Sequence, residues 1–240
     1  DVAPRDSGAR ASRVTYVAGH AVARACENLK AQMLERAAGV LECAVEEVDF
    51  RGGSFWLRVD PTERVSIRRI AAQAPDRLTV SVHEDLPPPD DVTYCCAQVA
   101  EVEVDPETGR MHVNRFVTAH DVGTIINPIT HQGQIDGGVV MGLGQAVMEE
   151  LVLQTGQVNN ANLGDYKLPT ASDIPELKTV LVQSGGGLAP YEAKAIGEFA
   201  NNSGPAAIAN AVADAVGAHV FELPITAEKI YKALQSKQRH

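Results

Sequence analysis

Three observations predict a mixed α+β fold with antiparallel pairing prominent. Apolar residues recur at three- and four-residue spacing from Val17 to about Leu41. Two long alternating runs flank Asp105-Pro106-Glu107-Thr108-Gly109, and a glycine-rich apolar stretch opens at Asn127-Pro128. The first period is that of a helix and the second that of paired strands. The third joins a capping residue to a helix start.

Residues 1–15 are polar, carry Ser7, Gly8, Ser12 and three arginines, and read as a loop. The helix after them sets Val22, Ala25, Cys26, Leu29, Met33, Leu34 and Ala37 on one face. "VDFRGGSFWLRV" reads as two short strands around the Arg51-Gly52-Gly53 turn, "SIRRIAAQA" as helix and "RLTVSVHE" as a strand. Three consecutive prolines make Leu86 to Asp91 a stiff connector. The chain is therefore divided into an N-terminal α+β subdomain, residues 1–90, and a C-terminal α+β subdomain, residues 91–240.

The C-terminal part begins with the hairpin around Asp105–Gly109, whose turn chemistry suits antiparallel strands. Asn127 then caps a helix with Pro128 at its first position, running through "ITHQGQIDGGVVMGLGQAVMEEL". Gly133, Gly137, Gly138, Gly142 and Gly144 lie inside it, each costing about 0.5–1 kcal/mol relative to Ala. Such a bare face suits another backbone or a bulky ligand lying against the helix; tight packing on a sheet satisfies it equally. A strand from Lys178 to Gln183, a glycine-rich loop at Gly185–Gly187 and a helix from about Gly204 to Val216 follow. A terminal helix takes Thr226 as N-cap and carries Glu228 in its first turn.

Composition narrows the function classes. Hydrophobic residues at 45% and charged residues at 22% describe a globular chain, which excludes wholesale disorder. There is no run of about 18 apolar residues, hence no membrane span. The formal net charge of -10 argues against a dedicated nucleic-acid binder, so any bound anion needs a local pocket of donors. Cys26, Cys43, Cys95 and Cys96 show no CxxC spacing, and the adjacent pair reads as reduced packing residues. A reducing, cytoplasmic compartment is expected. The seven histidines form no HxxxH or HExxH pair, so no metal held by protein side chains is expected. The chain opens Asp1-Val2-Ala3-Pro4-Arg5 without an initiator Met, a basic n-region or an apolar signal core. It reads as a processed chain or as a piece of a longer polypeptide.

One segment stands out, "APYEAKAIGEFANNSGPAAIANAV". Glu198 follows Gly197 among small and apolar residues, surroundings that would desolvate a carboxylate, raise its pKa and suit it to general-base work. A surface glutamate flanking a helix fits the same composition.

This segment resembles the catalytic-glutamate segment of the molybdopterin-binding subunits of the xanthine dehydrogenase, or molybdenum hydroxylase, family. Three further blocks agree in order. "SRVTYVAGHAV" resembles the loop and helix start that touch the pterin, "HDVGTIINPITHQGQIDGGVVMGLGQAVMEEL" the glycine-rich helix, and "LGDYKLPTASDIPEL" the DYK(I/L)PT block. The resemblance runs from Ala11 to Leu234. It implies the second molybdenum-cofactor-binding domain of that family as the fold. Glu198 matches the active-site glutamate, Gln134 a glutamine touching the cofactor, and Ala11, Ser12 and Arg13 contacts to the pterin and its phosphates. Gly197 belongs to the same cofactor-binding set. A pyrophosphate-bearing ligand wants backbone N–H groups and fixed donors, which a loop running into a helix start provides.

The implied activity is hydroxylation of an N-heterocycle or aldehyde with water-derived oxygen. The implied cofactor is molybdenum–molybdopterin in its cytosine dinucleotide form, with electrons passing to [2Fe-2S] clusters and FAD on partner subunits. The implied partners are a larger molybdenum subunit carrying the N-terminal half, an Fe–S subunit and an FAD subunit. Substrate would be a small molecule. A non-catalytic structural or assembly paralogue, packing on a complete molybdenum subunit, is the alternative. Two positions depart from the family pattern: Glu192 stands where many members have glycine, and "FANNSGP" replaces a proline-containing turn after Glu198.

Overall fold

A computed structural model describes residues 8–74, 78–84, 86 and 94–237. Its contacts group into two units, Val14–Pro88 and a second made of Asp1–Arg13 with Pro89–His240. Residues 8–13 therefore belong with the C-terminal elements.

In the unit Val14–Pro88, the helix α1 (Arg13–Leu41) is followed by a three-stranded antiparallel sheet. The sheet has the order β1 (Val48–Arg51), β2 (Ser54–Leu57), β3 (Arg64–Ser66). The expected hairpin is present, with Phe50 opposite Phe55 and both Gly52 and Gly53 at positive φ, the backbone a two-residue hairpin turn demands. The inner face of Val48, Phe55 and Val65 packs on Met33, Ala37, Ala38 and Ile70. Ile70 lies on α2 (Ile67–Ala72), where the Ser66 hydroxyl accepts from the Arg69 N–H. Only the C-terminal half of the α1 stripe is covered: Val22 and Cys26, expected on the buried face, are exposed. Length explains this, since 29 residues of helix span about 43 Å and a four-residue strand only about 13 Å.

The strand expected from "RLTVSVHE" is not formed over residues 78–84, although their exposure alternates. Alternation is only half of a strand, which also needs a ladder partner. The proline connector at residues 87–91 lies outside the described residues.

The other unit is built on a sheet ordered β4 (Cys96–Val104), β5 (Met111–Asp121), β8 (Glu176–Val182). The β4–β5 pair is the expected antiparallel hairpin, with a bulge between Glu101 and Val102. Its turn is held by the Asp105 carboxylate, which accepts from Glu107 N–H and Thr108 Oγ1. A Cβ on Gly109 would strike the Ala227 carbonyl, so the turn has room for glycine alone. β8 joins β5 in parallel. Between β5 and β8 come α3 (Pro128–Val147) and a small hairpin of β6 (Leu153–Gln154) and β7 (Gln157–Val158). After β8 follow α4 (Phe199–Asn202), α5 (Gly204–Val216) and α6 (Ala227–Lys237). Phe116 and Val113 of the sheet meet Ile135, Val139 and Leu143 of α3, Ile208 and Val212 of α5, and Ile230 of α6 in one core.

Asn127 caps α3 as expected, its Oδ1 accepting from Ile129 and Thr130 N–H. The helix stops at Val147 rather than continuing to Leu151. Met148 and Glu149 both donate to Gly144 O, a shared terminal acceptor that ends the helix. Thr226 Oγ1 caps α6 through Lys229 N–H. The fold is α+β with largely antiparallel sheets, as the sequence predicts.

Candidate functional site

The glycines of α3 divide by what faces them. A Cβ on Gly138 would lie 2.5 Å from Ala200 Cβ, and one on Gly142 would lie 3.0 Å from Asn201 O. These two glycines let α4 approach backbone to backbone. Gly144 is closed off by Glu149 and by Pro169, whose Cδ lies 2.9 Å from a Cβ built there. Gly133 and Gly137 meet nothing within 4 Å. Tight packing thus accounts for part of the stripe and leaves the turn around Gln134 bare. Gln134 itself is exposed.

The segment leading to Glu198 is held along its length. Tyr191 and Glu192 adopt φ of 62° and 63°. The Glu192 carbonyl accepts from Thr124 N–H and Gly187 N–H, both at 3.2 Å. Gly123 and Ala193 form an isolated bridge, and a Cβ on Gly123 would strike the Glu192 carbonyl. Lys194 then pairs with Asp121, Nζ to Oδ2 at 2.6 Å, and Asp121 Oδ1 also accepts from Ser184 Oγ. Burial would raise the Asp121 pKa; Lys194, Ser184 and the Gly123 N–H outweigh it and hold the carboxyl below its ordinary range.

At Gly197 three of the expected residues meet. Its N–H donates to Ser12 Oγ at 3.1 Å, and a Cβ there would lie 2.8 Å from that oxygen and 3.8 Å from Gln134 Oε1. Ala11 and Ser12 both sit at positive φ, 49° and 52°. Such non-glycine conformations are strained and gather at functional sites. Arg13 opens α1 directly after this turn. Glu198 stands at the N-terminal boundary of α4, exposed and making no capping bond there. The desolvation expected around its carboxylate is not supplied by the described residues, among which it is exposed.

Asn201 Oδ1 is buried without a hydrogen-bond partner among the described residues, while its Nδ2 lies 3.1 Å from Met141 Sδ. An orphaned polar atom where α4 packs on Gly142 and Met141 of α3 fits a neighbouring polar group outside the described residues. Among the described residues, no three His, Cys, Asp or Glu side chains converge as metal ligands. No helix among them is long and apolar enough to cross a membrane. All four cysteines are unpaired; Cys96 is partly buried, whereas Cys95 is exposed rather than packed.

Sequence reasoning missed a polar group behind α4. Gln98 points inward on β4 and donates through Nε2 to Ala200 O at 2.8 Å and Thr118 Oγ1 at 3.1 Å. It accepts from Ser203 Oγ at 2.7 Å. Thr118 Oγ1 lies 2.6 Å from Nε2 of His120, a buried ring whose pKa is lowered by desolvation. The signal was a glutamine on the apolar phase of an alternating strand.

Residues 1–175 match the molybdopterin cofactor-binding domain family, and the chain belongs to it. It is 34% identical over 97% of its length to a xanthine dehydrogenase molybdenum-binding subunit of Escherichia coli O157:H7, covering 32% of that protein. It is 31% identical over 98% of its length to the gamma subunit of the 6-hydroxypseudooxynicotine dehydrogenase complex of Paenarthrobacter nicotinovorans, covering 31% of it. Among solved structures, quinoline 2-oxidoreductase from Pseudomonas putida 86 superposes with a TM-score of 0.83 at 29% identity, over 95% of this chain and 31% of that one. A Cu,Mo-CO dehydrogenase superposes with a TM-score of 0.88 at 27% identity, over all of this chain and 31% of that one. The chain spans about a third of the length of these relatives.

Proposed function

We propose that this chain is the cofactor-binding and proton-abstracting part of a molybdenum hydroxylase, with Glu198 as the base. The observation that carries this reading is the meeting of Ser12, Gln134 and Gly197 immediately before Glu198. When bound, the molybdenum–molybdopterin cofactor, in its cytosine dinucleotide form, supplies the two-electron chemistry. The residues present suit it: a hydroxyl with its hydrogen free to turn, a carboxamide, an orphaned Asn201 oxygen and a helix face stripped to Gly133 and Gly137. Ala11 and Arg13 complete the loop that faces the pterin phosphates. Gly197 fixes the backbone before the carboxylate, and Glu198 takes the proton from the attacking water-derived oxygen.

An N-heterocycle or aldehyde is the substrate class. Relatives named nicotine 6-hydroxylase and aldehyde oxidoreductase support it. Electrons would leave to [2Fe-2S] clusters and FAD on partner subunits, and the remainder of the molybdenum subunit would cover Glu198. A cytoplasmic enzyme fits four unpaired thiols. The test is Glu198→Gln in the metal-replete complex, mixed rapidly with substrate under anaerobic conditions. Reduction should slow by about 10²–10⁴-fold with cofactor content retained. Reduction at the wild-type rate refutes the role of Glu198 and favours a structural paralogue.

A further inference from the structure

A four-residue helix cannot hold itself in place. It leaves its end groups unpaired, and nucleation cost makes so short a helix unstable alone. α4 is such a helix, and Glu198 is its first boundary residue. Two of its carbonyls find donors on β4: Phe199 O faces Cys96 Sγ at 3.7 Å, and Ala200 O accepts from Gln98 Nε2 at 2.8 Å. On the far side, Ala200 rests against Gly138 of α3. The backbone behind Glu198 is therefore held between a glycine and a glutamine.

We infer that Gln98 is a positioning residue for Glu198, acting through the Ala200 carbonyl and the Ser203 hydroxyl. The inference rests on the reading of Glu198 as the base. Gln98 is saturated in a way its shape alone does not require. Ala200 O can only accept, which fixes the amide with Nε2 toward α4. The second Nε2 hydrogen goes to Thr118 Oγ1, leaving the hydroxyl hydrogen of Thr118 for the neutral ring of His120. Gln98 Oε1 takes the Ser203 hydroxyl, at the junction of α4 and α5. β4 thus grips both ends of the turn that carries the carboxylate. A shift of about 1 Å at a reacting group costs about 10²-fold in rate.

The test is a double-mutant cycle in the full-length, metal-replete complex: Gln98→Met, Glu198→Gln and both together. Gln98→Met keeps the length and removes every hydrogen bond. If Gln98 acts through Glu198, it lowers kcat by about 10²-fold with KM unchanged, and adds no further loss once Glu198 is Gln. Amides of residues 199–203 should also exchange with solvent faster, while those of the C-terminal turns of α5 stay protected. Losses that multiply in the double variant, a wild-type kcat for Gln98→Met, or unchanged exchange at 199–203 would each overturn the inference. A slow Glu198→Gln beside a wild-type Gln98→Met sinks this inference alone; a wild-type Glu198→Gln sinks the base and this inference together. If Gln98→Met does not assemble, Ser203→Ala, which removes the bond to Gln98 Oε1 together with the longer contact to Cys96 Sγ, takes its place in the cycle.

Discussion

Lys194 Nζ lies 2.6 Å from Asp121 Oδ2, with the two side chains only 8% and 15% exposed. The pair joins the end of β5 to the segment that enters Gly197 and Glu198. Asp121 is fully occupied, accepting also from Ser184 Oγ and Gly123 N–H.

Removing one partner of such a partly buried pair leaves the other charge uncompensated, a loss of about 1–3 kcal/mol. Lys194→Met should lower stability by that order, and the double variant Lys194→Met with Asp121→Leu should recover part of it. Denaturant unfolding measures both. Because the folded Asp121 carboxyl titrates below its unfolded value, its stabilisation is present above the ordinary aspartate pKa and is lost as pH falls through the folded one.

His120 gives an acid-side slope at higher pH. Burial lowers its pKa, so the unfolded chain takes up the proton first as pH falls below about 6.5. Stability is full above that pH and declines between the unfolded and folded values. His120→Gln, which cannot ionise, should flatten the decline below about pH 6.5 in thermal melts. An unaltered slope would assign the titration to another group.

Glu192 holds φ of 63°, which glycine adopts without steric cost and a side chain does not. Glu192→Gly should be neutral to about 1 kcal/mol stabilising, the relief of strain being partly offset by added freedom in the unfolded chain. Glu192→Val should destabilise by more than 1 kcal/mol on the order of a β-branched residue forced to positive φ. Thermal unfolding of the two variants side by side decides it.

Gly137 faces open space in this chain, so Gly137→Ala should stabilise α3 by about 0.4–1 kcal/mol. If the cofactor lies on that face, Gly137→Leu should lower molybdenum content of the purified enzyme while the fold survives. Gln134→Ala should lower it too, by the loss of a contact of about 1–3 kcal/mol. Full molybdenum content in both variants would move the cofactor elsewhere.

The elements legible in the sequence were those whose cues are local. Asn127-Pro128, the Asp105–Gly109 turn and Thr226 each mark a boundary with one or two residues. The paired face of residues 78–84 was misread because alternation says nothing about a partner. The glycine stripe announced close approach on α3, yet helical phase alone could not separate Gly138 and Gly142, covered by α4, from Gly133 and Gly137. Ser12, Gln134 and Gly197 came from resemblance rather than spacing. Gln98 stayed hidden because its partners at Thr118, Ala200 and Ser203 are brought to it only by the sheet and by α4.

The bond between Ser12 and Gly197 spans 185 residues of chain, and that separation sets an order of events. Contacts so distant in sequence carry a large loop-closure entropy and form after local hairpins and helices. On a ribosome, the Ser12 turn emerges 185 residues before its partner. The bond therefore closes only after residue 197 is made, and on the proposed reading a cofactor delivered before then would find only one wall of its site.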